Sequence, residues 1–193
     1  MQNWLNLIPI FFILLTSLVI CLGTSWRSIL VAMAIMVFGL FFLYLQIWDI
    51  FMTGAKLITG WMCAAILSFT TAYQSNVEEI GITPKRLFKI MALIMVWMVA
   101  YVISSRINDL FGVSPEIAFT ALALIGSGLL QLGFSSQTFT VIVGILIFFF
   151  GFEILFADLE NSILVNAMIL AVDLLVAFVG AYLITITRQE ANE

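Results

Sequence analysis

Seven long apolar runs follow one another along this chain, with little polar sequence between them. A helix needs roughly 20 apolar residues to cross the hydrocarbon core of a bilayer. Applied to the sequence, that length predicts seven transmembrane helices. The predicted spans cover residues 4–23, 28–47, 50–72, 87–105, 117–133, 138–157 and 163–187.

The composition supports the same fold class. Of the 193 residues, 64% are hydrophobic and 9% are charged, whereas a soluble domain carries about 25% charged residues. We therefore expect an all-α integral membrane protein in which residues 1–193 form one polytopic domain, a bundle of about seven transmembrane helices. The formal net charge of −4, with no basic cluster, argues against a nucleic-acid partner.

The connectors between the spans are too short to hold a catalytic domain. The longest, residues 73–86, has 14 residues. The sequence has no glycine-rich phosphate loop and no nucleophile with its base, and it contains no His, the commonest metal ligand. We therefore expect no enzymatic activity, no cofactor and no metal site. Cys21 and Cys63 lie in apolar runs and are expected to be free thiols.

Two connectors contain residues typical of helix starts. Thr83 precedes Pro84, and Ser114 precedes Pro115. Ser and Thr are favoured as N-caps, and Pro is favoured at the first helical position. Glu116 then lies near the positive end of a helix, where a carboxylate is favourable, and is interpreted as an end-of-helix residue.

Basic residues are distributed unequally between the two sides of the predicted bundle. Lys and Arg are enriched in cytoplasmic loops. With seven spans, and with Lys56 set aside because it lies within a span, Arg106 is alone on one side. The opposite side has Arg27, Lys85, Arg86, Lys89 and Arg188. This distribution predicts an external N-terminus and a cytoplasmic C-terminus, in the cell's inner (cytoplasmic) membrane.

Three charged residues lie inside predicted spans: Lys56, Glu153 and Asp173. A charge at the centre of a membrane helix costs about 2.5–3.5 kcal/mol on insertion scales, and such residues usually face protein or water and have a function. These three residues are therefore the candidates for a proton path or an intramembrane charge pair.

Asp173 lies on a stripe of small or polar side chains, which also contains Asn166, Ala177 and Gly180. Such a stripe is typical of a face on which another helix packs closely, so Asp173 is expected to face protein.

Lys56 shares its helix face with Gly60 and Ala64, where a partner helix could approach closely. Its ammonium group could reach the headgroups by snorkelling, or it could pair with a carboxylate such as Asp173 or one on a neighbouring subunit.

Glu153 lies late in its span among phenylalanines. It is interpreted either as a proton-relay carboxyl, or as a residue that is simply protonated or lies near the headgroups. The span positions place Glu153 and Asp173 on adjacent helices but at different depths, about 5–10 Å apart at ~1.5 Å per residue. A water molecule or a partner side chain would then have to bridge them.

The segment GFEILFADLENSILVNAMILAVDLLVAFVGAYL, residues 151–183, has an acid late in the penultimate span, a short turn and a second acid in the last span. It resembles the small membrane subunits of the complex I superfamily. These are the three-helix small subunit of respiratory complex I, the C subunit of Mrp-type cation/proton antiporters and the E component of energy-converting hydrogenases. The last of these is most similar in length and span number.

This resemblance implies a helical subunit that lies between antiporter-like pumping subunits and the rest of a membrane arm. Asp173 would be the last-span acid and Glu153 the penultimate-span acid of a hydrated proton pathway. The family pattern has a glutamate one or two turns before Asp173, where this sequence has Asn166 and Ala167.

Three functions are compatible with these features. The first is a non-catalytic subunit of a multisubunit proton- or cation-translocating complex, with other integral membrane subunits and lipid as its partners. The second is a self-sufficient small transporter or channel. The third is a structural or assembly subunit in which Lys56 and Asp173 fix the register of the helices.

Overall fold

The computed structural model of the protein describes residues 2–23, 25–72, 85–159 and 162–191, and in this part of the chain it contains α-helices and no strand. The predicted all-α fold is confirmed, and each helix overlaps one predicted span. The helices are α1 (Gln2–Leu22), α2 (Trp26–Tyr44), α3 (Ile50–Ala72), α4 (Lys85–Phe111), α5 (Pro115–Phe134), α6 (Thr138–Leu159) and α7 (Ile163–Ala191).

Six of these helices, α2 to α7, are long and apolar enough to cross a membrane. In α1, the apolar segment whose side chains are described is Ile8–Leu22. A chain with six such helices is a multi-pass membrane protein, as the composition predicted.

The two predicted helix starts have different outcomes. Pro115 is the first residue of α5 and Glu116 lies in its first turn, but the Ser114 hydroxyl does not cap the helix. The Ser114 backbone N–H instead donates to Asp158 Oδ2 at 3.4 Å, which ties the start of α5 to the end of α6. Thr83 and Pro84 lie outside the described residues.

The packing order of the helices differs from their order along the chain. In the series α1, α2, α3, α7, α6 and α5 each helix contacts the next, and α5 in turn contacts α1. These six helices therefore form a closed ring, and α4 packs on its outside against α5 and α1. Side chains of α2 and α6, which lie opposite each other in the ring, fill much of its interior.

The helix ends lie on two sides of the ring. The α2–α3 turn, residues 45–49, the end of α6 and the start of α7 lie on the side that we call the near side. The end of α1, the start of α2 and the α5–α6 connection lie on the far side. Two contacts join helix ends at the far side: Gln131 Nε2 donates to the Ile20 carbonyl of α1, and Thr138 at the start of α6 reaches Thr187 of α7.

Glycines set the closest contact in the ring, between α5 and α6. A Cβ added at Gly128 of α5 would lie 2.8 Å from the Gly144 carbonyl oxygen, and one added at Gly151 would lie 2.7 Å from the Ile125 backbone nitrogen. The two backbones therefore touch. Such contacts between small residues are the usual way in which helices associate in lipid, where apolar side chains gain little by leaving the hydrocarbon.

Candidate functional site

The three charged residues predicted inside the membrane meet at one point in the ring. Lys56 Nζ of α3 donates to Glu153 Oε2 of α6 and to Asp173 Oδ2 of α7. Lys56 and Glu153 are each 2% exposed, and Asp173 is completely buried. We call these residues the charge triad. It joins α3, α6 and α7.

The triad lies in the near half of the ring. Lys56 is six residues from the start of α3 at Ile50, and Glu153 is six residues from the end of α6 at Leu159. At 1.5 Å per residue, both lie about 9 Å below the near-side helix ends. Asp173 is ten residues from the start of α7 at Ile163, or about 15 Å.

By the helix positions Asp173 lies about 6 Å deeper than Glu153, within the expected difference of about 5–10 Å in depth. Both carboxylates contact the same nitrogen atom. The Asp173 side chain and the long Glu153 and Lys56 side chains remove the offset between the backbones. A side chain bridges the two acids, as the sequence argument required, and it belongs to the same chain.

The Lys56 ammonium group points into the ring and does not reach the headgroups by snorkelling. Nζ lies 4.6 Å from the centroid of the Phe150 ring, one turn before Glu153 on α6, at a distance typical of a cation–π contact. Of the phenylalanines around Glu153, Phe150 is fully buried, whereas Phe149 and Phe156 are partly exposed.

Small and polar residues bring the triad helices together. Asn166, Ala177 and Gly180 of α7 are buried on the same face as Asp173, and Gly60 and Ala64 of α3 are buried on the face of Lys56.

The two glycines of this set, Gly60 and Gly180, lie close to side chains of neighbouring helices. A Cβ at Gly60 would lie 2.6 Å from Val37 of α2, and one at Gly180 would lie 2.5 Å from Ile142 of α6. The Cys63 thiol donates to the Asp173 carbonyl at 3.5 Å, which adds a direct contact between α3 and α7. Both cysteines are free, as predicted.

Each carboxylate uses one oxygen for Lys56 and has a second oxygen beside it. Glu153 Oε1 and Asp173 Oδ1 are buried and make no hydrogen bond to any described residue. The same is true of Asn166 Oδ1, which lies two turns before Asp173 on α7. The triad therefore keeps two acceptor oxygens available for a proton or for the donor group of a ligand.

Sequence reasoning missed Tyr44, the last residue of α2. Its ring is fully buried and stacks on Trp48 of the near-side turn, with ring centroids 4.7 Å apart. Its hydroxyl group has no hydrogen-bond partner among the described residues. The sequence feature that could have identified it is a hydroxyl group at the end of the apolar run FFLY.

Among the described residues, no group of three or more Cys, Asp or Glu side chains could hold a metal ion. The two carboxylates of the triad each have an oxygen without a hydrogen-bond partner in the described part of the chain. They can instead take up and release a proton. The chain matches no family model, no curated protein and no solved structure.

Proposed function

We propose that this protein is a subunit of a proton- or cation-translocating membrane complex, and that the charge triad holds the transported proton inside the bilayer. One observation carries the proposal: a single ammonium group contacts two carboxylates, and all three are buried in a ring of membrane helices. The chain would have no catalytic activity of its own and no cofactor.

The charge balance of the triad supports this function. With all three groups ionised the triad has a net charge of −1, and with one proton it is neutral. Two ionised carboxylates that contact the same ammonium group also lie close to each other and repel. A buried site of this kind favours one additional proton or monovalent cation, and the two unpaired carboxylate oxygens can accept it.

The resemblance of residues 151–183 to small subunits of the complex I superfamily supports a place in a larger membrane arm. In that arrangement all seven helices cross the bilayer, with the N-terminus outside and the C-terminus in the cytoplasm. Antiporter-like subunits would contact the outer surface of the ring, where α4 and α7 expose large apolar side chains.

A self-sufficient small transporter is the second candidate, and one specific observation favours it. All three charges come from one chain, within a ring that this chain closes by itself. Such a site needs no residue from a partner to be complete.

In the third candidate function the triad only fixes the register of the helices. It differs from the other two candidates in the proton flux expected when an acid of the triad is made neutral. The Asp173→Asn side chain keeps the size and one acceptor of aspartate but cannot carry the proton. We expect Asp173→Asn and Glu153→Gln to lower proton flux by at least about tenfold, because a relay carboxyl contributes about 10²–10⁴ to a proton-transfer rate.

The measurement uses the tagged chain, purified in mild detergent with whatever accompanies it, and reconstituted into vesicles that contain a pH-sensitive dye. A potassium diffusion potential drives the flux. Asp109→Asn, which neutralises an exposed carboxylate at the end of α4, is the matched control and should keep the wild-type flux. Normal flux in Asp173→Asn, with the protein intact, would leave only the structural candidate.

Mass spectrometry of the purified sample separates the first two candidates, since a complex contains antiporter-like subunits and a self-sufficient transporter does not.

A further inference from the structure

A second set of buried polar side chains lies in the far half of the ring, away from the charge triad. Ser17 of α1, Gln131 of α5 and Thr140 of α6 are 2%, 3% and 6% exposed. Each has an oxygen atom with no hydrogen-bond partner among the described residues: Ser17 Oγ, Gln131 Oε1 and Thr140 Oγ1.

Contacts of Gln131 place it beside the segments of α1 and α6 that contain Ser17 and Thr140. Its Nε2 donates to the Ile20 carbonyl of α1, at 3.4 Å. Its Cβ lies 3.2 Å from the position of a Cβ on Gly144 of α6. Ser17 lies one helical turn before Ile20, and Thr140 lies one turn before Gly144.

The three residues follow one another in depth. Helix α1 runs towards the far side, so Ser17 lies deeper in the ring than Ile20. Helix α6 runs away from the far side, so Thr140 lies closer to the far surface than Gly144. The order from the far surface inwards is therefore Thr140, Gln131 and Ser17, and we call this set the polar column.

Ser17 differs from most hydroxyl residues in these helices. The Thr16 and Ser127 hydroxyls donate to carbonyls of their own helices, three or four residues earlier, and so do those of Thr59 and Thr71. In a membrane helix this is the simplest way for a hydroxyl group to donate a hydrogen bond. The Ser17 hydroxyl makes no such bond, although carbonyls of α1 are within reach.

Leaving these groups unsatisfied would be expensive. A buried polar atom without a partner costs about 1–3 kcal/mol, and the polar column has three such atoms. A buried water molecule typically makes about three hydrogen bonds to groups of this kind. Neutral hydroxyl and amide groups, without a charged side chain, suit water better than an ion.

We infer that Thr140, Gln131 and Ser17 form a water-binding site that connects the far surface with the interior of the ring. Nine residues of α6, or about 13 Å, separate Gly144 from Glu153, and Ile147 and Phe150 fill the interior between them. In a role that rests on the proposed function, the polar column is the far-side half of the proton pathway. The triad is the near-side half, and the two buried apolar side chains separate them.

The test measures water access at Ser17 without measuring transport. In full-length protein with Cys21→Ala and Cys63→Ala, a Ser17→Cys variant is reconstituted into vesicles and exposed to Ag⁺. This ion is small and reacts with the thiol group from water, releasing the thiol proton. The remaining thiols are then counted by maleimide labelling after denaturation. Ile13→Cys is the matched control, since Ile13 lies one turn deeper on α1 and is completely buried.

We expect Ag⁺ to react with Ser17→Cys at least about tenfold faster than with Ile13→Cys, the ratio that about 1.4 kcal/mol of easier access gives. Equal rates for the two variants would overturn the inference. Because the readout is labelling, the result is independent of the proposed function: fast labelling without any proton flux would contradict the function and keep the water site.

A second variant tests the water site at another residue of the column, without Ag⁺. Thr140→Val keeps the shape of the side chain and removes the hydroxyl group. If the hydroxyl binds water, the melting temperature falls, by about 2–4 °C per kcal/mol for a chain of this size. A rise in melting temperature would show that a dry, unsatisfied hydroxyl had been removed, and it would contradict the inference.

Discussion

Helix α6 contacts its neighbours through two faces that are built in opposite ways. Towards α5 it presents Gly144 and Gly151, and the two backbones touch. Towards α3 it presents Glu153, which contacts Lys56 and, through Lys56, is linked to Asp173 of α7. Helices in lipid gain little from burying apolar side chains, so close packing and polar contacts are the two remaining ways to associate.

The comparison shows that two faces of one helix depend on different physical effects. The glycine face contains no titratable group and depends on shape alone. The charged face costs free energy to bury unless all its members are present. In the function proposed above, the glycine face stabilises the fold and the charged face provides the transport chemistry.

Loss of Lys56 should have the largest effect on stability. Lys56→Met leaves two buried carboxylates without their cation, and breaking a buried ion pair on one side costs about 3–5 kcal/mol. The expected fall in melting temperature is about 6–20 °C, at about 2–4 °C per kcal/mol, measured by thermal unfolding in detergent.

The matched variant neutralises the whole triad. Combining Lys56→Met with Glu153→Gln and Asp173→Asn leaves no unpaired charge, so most of the loss should be recovered. A triple variant as unstable as Lys56→Met would mean that the charged face contributes to stability through its contacts, and the separation of roles would fail.

Widening the glycine face should have a smaller effect. In Gly151→Ala the new methyl group would lie 2.8 Å from the Ala121 carbonyl oxygen and 2.7 Å from the Ile125 nitrogen. Backbone atoms cannot turn away, so α5 and α6 must move apart at a cost of about 1–3 kcal/mol.

Gly54→Ala on α3 is the control, because a Cβ there meets nothing within 4 Å. It should be neutral or gain up to about 1 kcal/mol from the helix propensity of alanine. Equal melting temperatures for Gly151→Ala and Gly54→Ala would show that α5 and α6 are not in backbone contact.

The smallest effect is expected at Gly180, where α7 meets α6. A Cβ at this position would lie 2.5 Å from Cγ2 of Ile142, which is a side-chain atom. Because Ile142 can adjust its rotamer, Gly180→Ala should cost less than about 1.5 kcal/mol. Thermal unfolding of Gly180→Ala and Gly151→Ala under the same conditions compares the two contacts directly. A larger fall in melting temperature for Gly180→Ala than for Gly151→Ala would show that the α6–α7 contact adjusts less easily than the α5–α6 contact.

The helices and the charged candidates could be predicted from the sequence because each depends on local properties. The length of an apolar run predicts a membrane helix, and a charge within that run stands out. Lys56, Glu153 and Asp173 were identified in this way. The burial of Asp173 could also be expected, since Asn166, Ala177 and Gly180 share its helix face.

The sequence offered a Lys56–Asp173 pair as one alternative, and the structure shows that pair, but the meeting of all three charges could not be predicted. It depends on α3 lying next to α7, and nothing local to either helix specifies that neighbour. The offset in depth between Glu153 and Asp173 could be estimated from the sequence, but backbone depth does not show that the side chains reach across it. Neutral residues such as Ser17 and Gln131 were missed, since a hydroxyl or amide in an apolar run costs less than a charge and stands out less.

The triad also has a consequence for how the chain is made. Lys56 precedes Glu153 by 97 residues and Asp173 by 117 residues. At about 5–20 residues per second, the ribosome needs about 5–25 s to make the two acids after Lys56 has been synthesised. During this time α3 has an ammonium group without its counter-charges, and a charge inside a membrane helix costs free energy until it is paired. The charge triad is therefore complete only after α7 has been made, and a chain that stops before α7 has Lys56 without its Asp173 partner.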